Sequence, residues 1–347
     1  MSKYKILDSH IHLYSLANIP LLHWDEGNPL HGNRRLDEYI ENSQSTQFDV
    51  EGVVWIECDA KIDLTQGLKG LENPIEEYLY ICRNINGKLL PEEGVSTPFK
   101  RRLIKAMIPF APMPLGSAGV EEYVKALKTR NSSEFHLVKG FRYLIQDKPP
   151  LTISDPHFVS SFQWLDSNGY VFDLGIDMRS GGLWQFKETL EVFKKVPNLK
   201  YIINHLTKPC LDFDPETIDS NPDFLSWKRL VTEMYITTPN SYMKLSGGFS
   251  EVEQDVALDV TSTSRHVYPW FKVVYELWGP ERTIFASNWP VCAIPAGQNL
   301  TEKWFQVCET LFDSIGMDED TRRKIYYSNA FKAYNIGGSL EHHHHHH

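Results

Sequence analysis

The chain has 347 residues, a formal charge of -10 and no dense run of Lys or Arg, which argues against nucleic acid or an anionic membrane surface as its partner. Hydrophobic residues make up 41%, ample for one buried core, yet no apolar stretch approaches the roughly 20 residues that a membrane helix needs. The length suits two ordinary domains or one large α/β barrel, and a small molecule is the expected partner.

The start MSKYKILDSH lacks the apolar core of a secretory signal, and the five cysteines show no C-x-x-C pairing. A cytoplasmic location is therefore expected, with neither a disulfide framework nor a thiolate zinc knuckle. Residues 338–347 read as a linker and affinity tag, which removes six of the fourteen histidines from consideration and leaves 1–337 as the expected domain.

In chain order the strand-type runs are KILDSHIH (5–12), GVVWIEC (52–58), RLIKAMIPF (102–110) and LVKGFRYLI (137–145). They continue as YVFDLGID (170–177), LKYIINH (199–205), SYMKLSG (241–247) and RTIFASN (282–288). Between them lie PIEEYLYICRNI, VEEYVKALKTR, GLWQFKETLEVFKKV and FLSWKRLVTEMY, with apolar residues at three- and four-residue spacing. Eight strands with helical crossovers predict an α/β fold, a single-domain (β/α)8 TIM barrel, ending in a helical cap over 318–334. Segments after strands, such as 13–33, 206–222, 247–264 and 289–300, are long and rich in aromatic, acidic or turn residues. That asymmetry is expected of a barrel whose site lies at the carboxyl ends of its strands.

His10 and His12 stand two apart near the end of the first strand, so both project to one side and can reach one ion or substrate. The alternative is a pair of hydrogen-bonded core histidines. His205 closes the sixth strand in IINHLTKP, a position that in a barrel reads as catalytic. Asn288 ends the eighth strand in RTIFASNWPV and would face the same mouth.

Together, D-x-H-x-H on strand 1, N-H-x-x-K-P on strand 6, K-L-S-G on strand 7 and S-N-W-P-V on strand 8 resemble the amidohydrolase-2 family. The resemblance is strongest to its sugar-lactonase branch, with the L-rhamnono- and L-fucono-lactonases, and more distant to the pyrone-dicarboxylate lactonases. It implies that His10, His12 and His205 line the site and that Asn288 stands where the family has an aspartate. An aspartate there would take a proton from the attacking water, which an amide cannot do at neutral pH. Three explanations stay open: a natural variant with another base, an introduced trapping substitution, or a chain without catalysis.

Other strand-end residues extend the expected site. Glu57 is either a rim salt bridge or a partner for a metal, cation or substrate hydroxyl, since a lone buried carboxylate would be costly. Arg142 in KGFRYLI can hold a carboxylate or a developing oxyanion, or form a structural ion pair. Asp173 and Asp177 alternate on one face of the fifth strand, with Asp177 nearer its end and the better candidate for sugar hydroxyls or the missing base. Lys244 either faces the mouth or neutralises carboxylates inside the barrel. The first long loop carries His23, Trp24, Asp25 and His31, suited to a lid over a polyhydroxylated ligand or to an ordinary packed loop. Trp289 beside Asn288, like Trp184, is a candidate for substrate contact.

The resemblance implies hydrolysis of a sugar lactone to its aldonic acid, with L-rhamnono-1,4-lactone the specific expectation. It also implies a divalent metal, zinc foremost, on His10, His12 and His205, although a metal-independent mechanism stays open. Rival expectations are a metal-dependent decarboxylase on the same barrel and a sugar-binding protein without catalysis. Self-association into a homo-oligomer is left open.

Overall fold

The computed structural model describes residues 3–337, so the linker and tag expected at 338–347 lie outside the described residues. Eight strands follow one another: β1 (Tyr4–Ile11), β2 (Phe48–Ile56), β3 (Ile104–Ile108), β4 (Gly140–Arg142), β5 (Val171–Leu174), β6 (Tyr201–Ile203), β7 (Tyr242–Leu245) and β8 (Thr283–Phe285). Each falls inside one of the eight predicted runs or overlaps it. Their β-branched and aromatic residues are almost wholly buried, as parallel strands covered on both faces require.

A helix follows every strand: Leu36–Asn42, Glu72–Asn86, Gly116–Arg130, Pro156–Ser167, Leu183–Lys195, Pro222–Thr237, Val260–Arg282 and Leu300–Ser314. Local chemistry starts several of them. Asp155 and Asn221 accept backbone N–H bonds from the first turns of their helices, each with proline at the first helical position, where its missing N–H is harmless. Among the described residues no helix is long and apolar enough to cross a membrane.

All strand pairs are parallel, in the orders β1-β2-β3 and β4-β5-β6-β7-β8. Parallel bridges Met107–Val138 and Phe110–Arg142 join β3 to β4, and Ile11–Trp289 joins the ends of β1 and β8. Asn288 N donates to His10 O at 3.1 Å and His12 N to Trp289 O at 2.9 Å, so the sheet closes into a barrel.

Two layers fill the interior. Leu7, Val54, Ile56, Ala106, Ile108, Val171, Ile202 and Ile284 pack with Ala330, Ala333 and Tyr334 of the C-terminal segment. That segment plugs the amino-terminal mouth, where Asn329 Nδ2 donates to the carbonyl of Thr283, the first residue of β8. Above the apolar layer comes a polar one that includes His10, Asp173, Asn204 and Lys244, all fully or almost fully buried.

β1 changes register between these layers. Asp8 pairs with Val53 but Ile11 with Trp55, so three steps along β1 oppose two along β2, a β-bulge. Leu7 therefore joins the apolar layer and His10 still reaches the cavity above it. Strict alternation from Leu7 would have pointed Ser9 there instead.

Candidate active site

At the carboxyl ends of the strands lies a cavity of about 510 Å³. His10, His12, His23, Trp24, Arg142, His205 and Asn288 line it, seven of the residues that the sequence singled out. The rings of His10 and His12 are 5.0 Å apart and those of His10 and His205 4.5 Å, in edge-on arrangements.

Each imidazole is oriented by a separate partner. His12 Nδ1 lies 2.9 Å from the carbonyl of Ile56, which can only accept, so this nitrogen carries the proton and Nε2 keeps its lone pair. His205 Nδ1 is 2.6 Å from Ser246 Oγ. His10 Nδ1 is 2.8 Å from Lys244 Nζ, while His10 Nε2 is buried without a protein partner. Burial, aided by Arg142, holds the His12 pKa down at about 3. Burial also lowers His10, with Lys244 next, and His205, with Lys208 next. All three are neutral imidazoles at pH 7.

His205 sits on a strained turn. Residues 205–208 all have positive φ, at 55°, 54°, 71° and 50°, none of them glycine. Such conformations cost roughly 1–2 kcal/mol per residue and persist only where surrounding contacts enforce them. Trp227 Nε1 donates to Thr207 Oγ1 at 2.9 Å within this turn. Gly247 faces it, with φ of 80°, and a Cβ there would lie 2.7 Å from His205 Cβ. The turn also brings Lys208 into the cavity wall, 3.4 Å from Gln146 Oε1.

Asn288 is likewise left-handed, at φ 57°. Its Nδ2 points to Cys292 Sγ at 3.5 Å, which leaves the carbonyl Oδ1 as the face offered to the cavity. Arg142 is buried and ion-paired: Nε donates to Glu57 Oε2 and Nη2 to the Glu57 carbonyl, both at 2.7 Å. No hydrogen bond from Nη1 is present among the described residues, and the side chain reaches the cavity wall.

Three expected contacts fall elsewhere. Glu57 does not line the cavity; it lies behind Arg142, its second oxygen accepting from Asp59 N at 2.9 Å. Asp177 is buried beyond the end of β5, 4.0 Å from Lys208 Nζ on the far side of the wall. Trp289 is turned away from the mouth and packs edge-on against Tyr39 at 5.4 Å, next to the left-handed Asn288. Conversely, Cys58, Asp59, Gln146, Asp147 and Lys148 line the cavity without having been singled out, as do Asn204 and Lys208, which entered only as members of the N-H-x-x-K-P motif. Cys58 continues the inward parity of Val54 and Ile56, a signal available in the sequence. Asp59, at φ 54°, and Lys208 are placed by turns that no local pattern announces.

A divalent ion needs more than the three imidazoles can offer here. The three histidines meet, but the buried carboxylates behind them are engaged, Asp173 with Lys244 and Glu57 with Arg142, strand 8 supplies an amide, and Asp59 and Asp147 on the same wall complete no ligand group with them. Two buried cations also stand at the cluster: Lys244 Nζ is 2.8 Å from His10 Nδ1, and Arg142 lines the same cavity. Among the described residues no group of three or more His, Cys, Asp or Glu is arranged to hold a metal ion. The expectation of a metal on His10, His12 and His205 is therefore not met by these ligands.

A family model described as amidohydrolase matches residues 136–336, more than half of the chain. Among curated proteins, an L-fucono-1,5-lactonase of Burkholderia multivorans is 26% identical over 174 residues, covering 48% of this chain and 55% of that protein. The chain thus spans about half the length of that curated relative. Two solved structures of an amidohydrolase from Burkholderia multivorans match 95% of this chain and 99% of theirs. The form with bound HEPES gives a TM-score of 0.69 at 19% identity, and the form with bound zinc 0.67 at 18%. At these identities they speak for the barrel alone.

Proposed function

We propose, from the premise that this chain belongs to the amidohydrolase family, that it hydrolyses a sugar lactone to the open aldonic acid. The observation that carries the reading is a hydrogen-bond deficit in the cavity wall. His10 Nε2 and Asn204 Oδ1 are buried without a protein partner, and such groups call for a ligand that satisfies them. Asn204 Oδ1 can only accept, which suits a sugar hydroxyl. Trp24, packed on Tyr14 at 4.7 Å, offers an aromatic wall in the same cavity.

Water attacks the lactone carbonyl, and the oxyanion that develops is met by the Arg142 guanidinium. His12 Nε2, a bare lone pair on a neutral ring, accepts the proton of that water, and Asn288 Oδ1 orients it. The ring oxygen leaves as an alcohol with the proton that His12 took up, relayed to it through His205 or solvent. The missing strand-8 aspartate is thereby replaced as base by a histidine of strand 1. L-Rhamnono-1,4-lactone is the first substrate of choice, and L-fucono-1,5-lactone follows from the name of the curated relative.

The test is pH-indicator hydrolysis of a panel of 1,4- and 1,5-aldonolactones by this chain and by Asn288→Asp, each with and without chelator. Proton release by the unaltered chain supports the lactonase. Silence in every arm overturns it. Carbon dioxide release from an aromatic acid in the presence of metal would then favour the decarboxylase, and ligand binding without turnover a sugar-binding barrel.

A further inference from the structure

Beneath the cavity floor, behind His10 and Asn204, lies a chain of buried polar groups. Lys244 Nζ, fully buried, is 2.8 Å from His10 Nδ1 and 2.5 Å from Asp173 Oδ1. Asp173 Oδ1 also accepts from Asn204 Nδ2 at 2.8 Å, and Asp173 Oδ2 accepts from Tyr334 OH at 2.8 Å. The Tyr334 ring lies 5.5 Å from Lys244 Nζ. Asp173 is thus saturated by donors, and Lys244 is held at a fixed point below one histidine.

We infer that Lys244 is a positioning residue that keeps the His10 proton on Nε2, making this histidine a hydrogen-bond donor to the reacting carbonyl and unfit as a metal ligand. An ammonium has three donors and no acceptor, so across the 2.8 Å contact it must donate and His10 Nδ1 must accept. A neutral imidazole that accepts at Nδ1 carries its hydrogen on Nε2. That nitrogen is the buried atom without a protein partner in the cavity wall. The Asp173 carboxylate in contact with the same Nζ is the countercharge that keeps Lys244 an ammonium. A metal ligand would need the lone pair where the proton now sits.

The opposite state is imposed on His12 two residues away. There a backbone carbonyl accepts from Nδ1 and frees Nε2 as an acceptor. Neighbouring rings 5.0 Å apart are thus set as one donor and one acceptor by what lies behind each. On the lactonase reading, which this inference deepens, the donor meets the carbonyl oxygen and the acceptor meets the water.

The experiment reads the tautomer directly. Long-range 15N–1H correlation spectra of the whole protein at pH 7, with the His10 signals identified by their loss in His10→Asn, should show the proton on Nε2. In Lys244→Met that single pattern should be lost, and kcat on the best lactone should fall about 100-fold, the effect of removing one oxyanion donor, with KM little changed. Lys244→Arg, which keeps a donor, should retain the Nε2–H pattern. A proton on Nδ1 of His10 in the unaltered protein overturns the inference, as does an unchanged pattern in Lys244→Met. If Lys244→Met does not fold, the spectrum of the unaltered protein decides alone. If no lactone is turned over and the proton is still on Nε2, the tautomer assignment stands and the lactonase reading falls.

Discussion

Arg142 and Glu57 form a two-point clasp: Nε meets the carboxylate and Nη2 the backbone carbonyl of the same residue, each at 2.7 Å, with both side chains buried. The fork therefore has no rotational freedom, and its remaining edge is aimed at the cavity. Glu57→Ala leaves that charge buried without its partner. A loss of roughly 3–5 kcal/mol in chemical denaturation is expected, the range for breaking a buried ion pair from one side. A change under about 1 kcal/mol would mean that solvent reaches Arg142 and that the clasp does not hold it.

Gly247 sets the position of His205. Its φ of 80° and the 2.7 Å approach of its absent Cβ to His205 Cβ leave no room for a side chain. Gly247→Ala should move the imidazole off Ser246 Oγ and lower kcat/KM at least 10-fold, with a destabilisation of about 1–2 kcal/mol from the left-handed backbone. Unchanged kinetics would show that His205 takes no part in turnover.

The three buried imidazoles make the protein acid-sensitive. His12 is held at about 3 in the fold against an ordinary value of 6.5, and His10 and His205 are lowered in the same direction, each chiefly by burial. Between these limits the unfolded chain binds protons that the native state does not. Stability is fully present above pH 6.5 and is lost as pH falls towards 3, at up to about 1.4 kcal/mol per pH unit for each histidine. His12→Gln should flatten the decline of thermal stability between pH 6 and 4; an equally steep decline would assign it to other groups.

Chelation distinguishes the residues present from the zinc that a solved relative carries. With carboxylates engaged by Lys244 and Arg142, and Asn288 in strand 8, exhaustive removal of divalent ions should leave lactone turnover within about twofold. A tenfold loss restored by zinc would return His10, His12 and His205 to the role of ligands.

Much of this arrangement was legible in the linear chain. Eight buried runs of β-branched and aromatic residues, separated by helical periodicity, specify a barrel because alternation of strand and helix leaves few other ways to cover both faces of a parallel sheet. Polar residues at the ends of those runs marked the mouth, and five of them, His10, His12, Arg142, His205 and Asn288, line it. Period-two parity even reaches Cys58. Parity fails where the backbone leaves the regular strand. The bulge in β1 puts His10 rather than Ser9 above Leu7, Trp289 next to the left-handed Asn288 packs into the core, and the turn 205–208 carries Lys208 inward. Roles depended on longer reach still. His10 and Lys244 are 234 residues apart, and Glu57 and Arg142 are 85. Hydrophobic periodicity is a local property and was readable along the chain; a proton's location or a charge's partner depends on atoms within 3 Å in space, which closure of the barrel alone brings together.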